Sequence, residues 1–276
     1  MRKLKHIAEF LLVYLLILLA LALGLDRASA FFGKLAVLIG PRLKVSNVAR
    51  RNLSQVLPSL TEEDREVIVV RMWENIGRLA GEMPHWHRLS PQQLLSRVKM
   101  KDSAPQKRGK GIMFLSGHYG NWELFPHVLN ALKIPNYMVY RPANNKYVDR
   151  LINKMRNTHL IAKGAAGMRQ IIQLLRQDEL VGMLFDQKVG NGVLIPFFGI
   201  EAKTVTAPGA FACKLGAELA IARIKRIHGA HFELEVKLLK ISSEMDAVAV
   251  MIELNKQLEA WIIETPEQWF WLHKRW

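Results

Sequence analysis

His118 and Glu123 stand five residues apart in the string Ser116-Gly117-His118-Tyr119-Gly120-Asn121-Trp122-Glu123. An imidazole titrates near neutrality, so it can take a proton from a hydroxyl. A carboxylate on one ring nitrogen fixes the tautomer and leaves the other nitrogen free for that proton. The apolar run 111–115 leads into the string, and an amphipathic segment, 124–132, follows it. This pattern predicts a buried strand, a tight glycine turn and then a helix. His118 would sit at the strand end and face a cleft. Glu123 would lie in the first turns of the helix, where its carboxylate can fold back onto the ring. The flanking glycines, Gly117 and Gly120, would let backbone N–H groups approach a developing oxyanion. The same spacing also fits a histidine that caps a helix with a glutamate in its first turn.

The elements that must position these residues alternate between strand and helix from 100 to 240, which predicts an α/β core: a mixed sheet flanked by helices. Expected strands are 112–116, 137–140, 181–185, 218–224 and 232–238. Expected helices are 121–132, 146–157, 167–177 and 206–216. Two further helices are expected at 47–57 and 61–79, the second opened by a Thr61-x-x-Asp64 capping box. A last long helix should start at Ser243-x-x-Asp246 and run to about 264.

Arg141 closes the second strand, in Val139-Tyr140-Arg141-Pro142-Ala143-Asn144-Asn145, and should reach the same cleft edge as His118. Lys146, Arg150 and Lys154 follow at i, i+4 and i+8. Like charges so spaced repel by roughly 0.2–0.5 kcal/mol per pair in an isolated helix, a cost an anionic partner would relieve. A solvated basic face fits equally. Asp186 and Gln187 end the third strand. Asp186 can orient Arg141 or a catalytic group, or simply serve a turn. Thr206, before Ala207-Pro208, fits a helix N-cap whose N-terminus would favour a phosphate.

Half of the 276 residues are apolar and the formal net charge is +15. Residues 1–51 and 138–176 each carry net +7, so the excess charge is concentrated in two stretches. Such stretches suit lipid headgroups, a phosphorylated substrate, an acidic protein or nucleic acid. The single cysteine, Cys213, excludes an intrachain disulfide framework. Pro84-His85-Trp86-His87 is a poor metal site, because no other ligand pattern stands nearby.

At the N-terminus, Arg2, Lys3 and Lys5 precede an uncharged apolar run, 10–25, shorter than the roughly 20 residues of a simple span. It reads as a signal peptide with Ala28-Ser29-Ala30 as its cleavage site, as a short transmembrane anchor, or as a helix lying in one leaflet. A retained anchor is expected. The division is then 1–45, membrane anchor and interfacial segment, and 46–276, the catalytic domain.

Gly117-His118-Tyr119-Gly120-Asn121-Trp122-Glu123 resembles the His-x4-Asp/Glu motif of membrane glycerolipid acyltransferases, and more closely that of the lipid A late acyltransferases. The Arg141 block, Asp186-Gln187, the Thr206 block and the tail Pro266-Glu267-Gln268-Trp269-Phe270-Trp271-Leu272-His273-Lys274-Arg275 resemble later motifs of that family in the same order. Upstream, Asn52-Leu53, Pro58, Asn75, Gly77 and Glu82 fall where similar acyltransferases place such residues. The resemblance implies a glycerolipid acyltransferase-like fold on the cytoplasmic face of the bacterial inner membrane. It also implies transfer of a fatty acyl chain from acyl carrier protein to a hydroxyl of a phosphorylated, Kdo-bearing lipid A precursor. His118 and Glu123 would then be the catalytic dyad. Arg141 would contact the substrate phosphate or the reacting carbonyl, and Asn144, Lys146, Arg150, Asp186, Gln187 and Thr206 would serve the substrate. No metal or tightly held cofactor is required. An alternative enzyme keeps this chemistry with another glycolipid or an aminolipid as acceptor. A hydrolase would use water, although no Gly-x-Ser-x-Gly element is present. A non-catalytic membrane or nucleic-acid binder would use the basic surfaces alone, and no nucleic-acid motif is read.

Overall fold

The computed structural model describes residues 2–101 and 109–276. The first residue of the expected anchor lies outside the described residues. The chain opens with α1 (Arg2–Leu23), α2 (Leu25–Ile39), α3 (Ser46–Val56), α4 (Glu62–Glu82) and the short α5 (Pro91–Leu95). The α/β part then runs β1 (Val98–Met100), β2 (Ile112–Ser116), α6 (Phe125–Ala131), β3 (Tyr137–Tyr140), α7 (Lys146–Arg156), β4 (His159–Ala162), α8 (Ala165–Arg176) and β5 (Leu180–Leu184). A hairpin, β6 (Val193–Phe197) and β7 (Ile200–Thr204), precedes α9 (Ala207–Leu215). The chain closes with β8 (Glu218–His228), β9 (His231–Leu238) and α10 (Ala247–Glu264).

Seven strands form one sheet in the order β1-β9-β8-β2-β5-β3-β4. β2 pairs in parallel with both β5 and β8, and β3 pairs in parallel with β5 and β4. β9 runs antiparallel to β8, and β1 is parallel to β9. β2 is central and buried on both faces, so its sequence is continuously apolar rather than alternating. Met113 and Leu115 face one core with α4, α8 and α10, while Ile112 and Phe114 face a second core with α5 and α6. The chain leaves β2 toward β3, returns to place β5 between them, and later sets β8 on the other side. This reversal opens a crevice at the carboxyl ends of β2, β3 and β5, the usual place for a site in such a sheet.

Differences from the expected elements have local causes. The helix after His118 begins at Phe125, not at 121, because Asn121 is buried and committed to a turn that precedes it. β4 and the β6–β7 hairpin were not expected. The hairpin turns at Phe198 and Gly199, both at positive φ (54° and 70°), the twist that joins two strands tightly. Thr61 caps α4 as expected, accepting from the Asp64 N–H at 3.1 Å. Asp246 rather than Ser243 caps α10, accepting from Val248 and Ala249.

α1 starts upstream of the uncharged run, and residues Lys3–Leu23 are long and apolar enough to cross a membrane. Gly24, at φ +74°, ends it and turns the chain into α2. α2 lies against α4 so closely that a Cβ on Gly81 would come within 2.6 Å of the Ala28 carbonyl oxygen. Ala28 and Ser29 are fully buried there, and the Ser29 hydroxyl donates to Glu82 at 2.6 Å. The Ala28-Ser29-Ala30 stretch is therefore part of the packed fold.

Candidate active site

A cavity of about 290 Å³ opens at the carboxyl ends of β2, β3 and β5. Its depth is lined by apolar side chains, among them Phe114, Phe125, Met138, Leu160 and Met183. Half-buried His118, Gln187, Glu123 and Arg156 line the cavity as well, and the exposed Arg141 and Lys163 mark its mouth. His118 and Arg141 thus share one cleft, as strand-end logic predicts.

The ring of His118 meets Asp186, not Glu123. Its Nδ1 lies 2.7 Å from Asp186 Oδ1, and its own backbone N–H donates to Asp186 Oδ2 at 2.7 Å. A carboxylate only accepts, so Nδ1 carries the proton and Nε2 presents a lone pair. Trp269 Nε1 also donates to Asp186 Oδ2, at 2.9 Å. Burial alone would push the Asp186 carboxyl up. The facing His118, through charge and hydrogen bonds, reverses this and holds it well below the usual carboxylate range, with His273 helping. Nε2 of His118 is 3.0 Å from Gln187 Nε2, which also lies 3.1 Å from Nε2 of His273. Burial holds His273 down at about 4, a shift that the charge of His118 reinforces. His273 is therefore neutral near pH 7 and able to accept from the Gln187 amide.

Glu123 lines the same cavity but turns to Arg156, at the end of α7. Arg156 Nε and Nη2 donate to its two oxygens at 2.8 and 2.6 Å. A guanidinium fork satisfies a carboxylate bidentately, and that geometry wins over the single contact an imidazole offers. The expectation that Glu123 holds the ring is corrected in this respect. The expected oxyanion donors are corrected in part, because the N–H groups of His118, Tyr119 and Gly120 are already engaged. His118 N donates to Asp186, Tyr119 N to the Gly117 carbonyl at 2.8 Å, Gly120 N to the Gln268 carbonyl at 2.8 Å and Asn121 N to the Ile224 carbonyl at 3.1 Å. Gly120, at φ +58°, has no room for a Cβ, which would lie 1.7 Å from the Ile224 carbonyl oxygen. The turn is thus locked into the sheet and the tail.

Two cations also line the cavity. Arg141 follows β3 and Lys163 follows β4. Neither side chain has a hydrogen bond or ion pair among the described residues. Desolvation lowers the Lys163 pKa, Asp186 opposes that shift, and the like charge of Arg141 adds to it. Lys163 escaped the sequence reading because β4 did. It occupies the same kind of strand-end position as Arg141, so recognising β4 would have found it.

The remaining expected residues lie elsewhere. Asn144, Lys146 and Arg150 are exposed on the approach to α7 and along it, outside the cavity lining. Thr206 occupies the N-cap position of α9, but its side chain makes no capping hydrogen bond and does not line the cavity. Among the described residues, no three His, Cys, Asp or Glu side chains are grouped to hold a metal; His85 instead contacts the Ala20 carbonyl at 3.1 Å.

The tail, for which the sequence suggests either an interface or packing onto the core, forms the back wall of the site. Trp269, Trp271 and Arg275 are fully buried. Phe270 N donates to the His118 carbonyl at 2.9 Å, and Asn52 Nδ2 donates to the carbonyls of Trp271 and His273 at 2.8 and 2.7 Å. Asn75 Nδ2 donates to the Gly120 carbonyl at 3.0 Å. Glu82, fully buried, accepts from Asn121 at 2.7 Å and from Arg226. These long-range partners hold the turn that carries His118.

Comparison with known proteins identifies the family. The family model described as bacterial lipid A biosynthesis acyltransferase matches residues 1–276. The lipid A biosynthesis lauroyltransferase of Escherichia coli K12 is 27% identical over 264 residues, covering 90% of this chain and 84% of that protein. The lipid A biosynthesis palmitoleoyltransferase of the same organism is 23% identical, covering 83% and 78%. The lipid A biosynthesis acyltransferase of Haemophilus influenzae is 24% identical, covering 83% and 76%. A single match over the whole length, together with a histidine that lines an apolar cavity, leads to one conclusion: the chain belongs to the bacterial lipid A biosynthesis acyltransferase family.

Proposed function

We propose that this acyltransferase moves a fatty acyl chain from an acyl carrier protein thioester to a hydroxyl of a phosphorylated, Kdo-bearing lipid A precursor, at the cytoplasmic face of the inner membrane. One observation carries the reading. His118, with its Nδ1 on a buried carboxylate, stands where an apolar cavity meets two cations that have no ion pair among the described residues. An acyl thioester divides in the same way: its chain needs the apolar depth, and its carbonyl needs the charged mouth.

The acceptor hydroxyl approaches His118 Nε2, displacing the Gln187 amide, and gives up its proton there. Asp186 fixes the tautomer and stabilises the imidazolium that forms. The oxygen attacks the thioester carbonyl, and Arg141 or Lys163 stabilises the oxyanion. The tetrahedral intermediate collapses, the C–S bond breaks, and the leaving thiolate takes the proton back from His118. Glu123 acts in the cavity wall with Arg156 rather than on the ring. The net +7 stretch at 138–176 would draw both an acidic carrier protein and a phosphorylated lipid.

The test is a transfer assay on the purified protein. Radiolabelled, tetraacylated, Kdo-bearing lipid A precursor is incubated with a panel of acyl carrier protein thioesters, with His118→Ala alongside. The expected product is heavier by one acyl chain and absent with the variant. Transfer that survives His118→Ala would remove the histidine from the chemistry. No product with any donor would move the reading to another glycolipid or an aminolipid acceptor.

A further inference from the structure

α1 is held by the rest of the protein near both of its ends. Its half-buried or buried residues His6, Phe10, Val13, Ile17, Ala20 and Leu23 recur at spacings of three and four, which is one face of a helix. Near the start of α1, Asn145 Nδ2 donates to the His6 carbonyl at 2.7 Å and to Glu9 Oε2 at 3.0 Å. Phe10 also meets the ring of Tyr147, with centroids 6.0 Å apart. Near its end, Ala20 is 1% exposed and its carbonyl contacts His85. Gly24 then turns the chain directly onto α4 through α2. The opposite face of α1 presents Leu4, Leu11, Leu12, Leu15, Leu18 and Leu19, all between 40% and 73% exposed.

A helix that crosses a bilayer must leave the domain at one end. At about 1.5 Å per residue, His6 and Ala20 are roughly 21 Å apart, most of a hydrocarbon core. Both are held by the same domain. If α1 crossed, α7 with Lys146, Arg150 and Lys154 would have to lie on one side of the membrane. The bidentate Asp26–Arg97 pair, at 2.7 and 2.8 Å, would lie on the other. The domain between them would then stand in hydrocarbon, where its charged surface is strongly disfavoured.

We infer that α1 does not cross the membrane: it lies along the domain with its leucine face sunk into one phospholipid leaflet. The partner is an anionic leaflet, because the apolar face is bordered by Lys3 and Lys5, and the next helix adds Arg27 and Lys34. Asn145, which caps α7 through its Oδ1 while gripping α1 through its Nδ2, ties this helix to the loop that begins at Arg141. The cavity mouth is thereby set beside the lipid surface, and a lipid acceptor reaches it without leaving its leaflet. This inference rests on the reading of the protein as a membrane-lipid acyltransferase.

The experiment uses the full chain with the exposed Cys213 replaced by serine and single cysteines placed by Lys3→Cys, before the apolar run, or Lys256→Cys, on the outer surface of α10. A membrane-impermeant maleimide is applied to right-side-out and inside-out vesicles. Labelling of both positions from the same side is expected; labelling of Lys3→Cys only from the opposite side would overturn the inference. Nitroxides at Leu4→Cys, Leu12→Cys and Leu19→Cys are then compared for depth in vesicles of roughly 3:1 phosphatidylethanolamine to phosphatidylglycerol. Equal, shallow depths are expected. A Leu12 position about 10 Å deeper than the other two would mark a crossing helix. Failure to float with these vesicles would remove the lipid partner altogether, while transfer measured in detergent would still report on the chemistry independently.

Discussion

Behind His118 nearly every polar group has a partner, whereas the rim facing it carries two cations with no ion pair among the described residues. The back wall joins segments far apart in sequence. Asp186 takes His118 and Trp269, Gln187 bridges His118 and His273, and Asn52 and Asn75 hold the tail and the turn. The rim is Arg141 and Lys163, at adjacent strand ends and electrostatically aware of each other. The contrast separates two tasks. A base must be held in one tautomer before substrate arrives, so its surroundings are satisfied in advance. A site for an anion is left unsatisfied, and the anion completes it.

The sharpest way to break this comparison is Asp186→Asn. It keeps the shape and removes the charge that fixes Nδ1–H. Turnover should fall about 10²–10⁴-fold, the range ascribed to a positioned general base, with little change in KM. Retained turnover would show that the back wall is structural only. Next in size is Glu123→Gln. If Glu123 works through Arg156, this variant and Arg156→Met should each cost about 10²-fold, and the double variant no more than either, because contacting residues couple. Additive losses would instead place Glu123 in separate contact with substrate.

Much of this site could be read from sequence because strand ends follow apolar runs. β2 and β3 are continuous apolar segments closed by glycine or by Arg-Pro, so His118 and Arg141 fell into one cleft. Asp186-Gln187 followed by the same logic. Lys163 did not, because β4 is a short edge strand with exposed residues at both ends and shows no clear apolar run. The β6–β7 hairpin stayed hidden because Pro196 sits inside it, which a separate two-stranded sheet tolerates. Glu123 and Arg156 are 33 residues apart, and Trp269 and Asp186 are 83 apart. Local spacing suggested the wrong carboxylate for His118 because the decisive competitor, a guanidinium at the end of another helix, is a tertiary contact. The tail matched a motif whose purpose only packing reveals.

The rim supplies the third comparison. Arg141→Ala should cost about 30-fold in kcat/KM, and Lys163→Met about tenfold, in line with the loss of one charge-assisted hydrogen bond each. Both losses should shrink as salt rises, because exposed charges are screened, while the loss in Asp186→Asn should not. An Asp186 deficit that shrank equally with salt would erase the distinction between wall and rim.

The smallest effect concerns His273, buried in the back wall with its pKa lowered to about 4. In the unfolded chain an ordinary histidine titrates near 6.5, so between these values the unfolded state binds more protons than the folded one. The contribution of His273 is thus fully present above about pH 6.5 and is lost as the pH falls toward 4. Between pH 7.5 and 5.5 this amounts to about 1 kcal/mol, or a fall of roughly 2–4 °C in melting temperature for a chain of this size. His273→Gln, which can still meet the Gln187 amide through its carbonyl, should remove this share of the slope and leave the share of buried His127, which burial also lowers to about 4. Lys163→Met, at the rim, removes no histidine and should leave that slope unchanged. A wild-type profile that stayed level to pH 5, or one that Lys163→Met flattened as much as His273→Gln, would show that the pH dependence does not originate in the neutral, prewired wall.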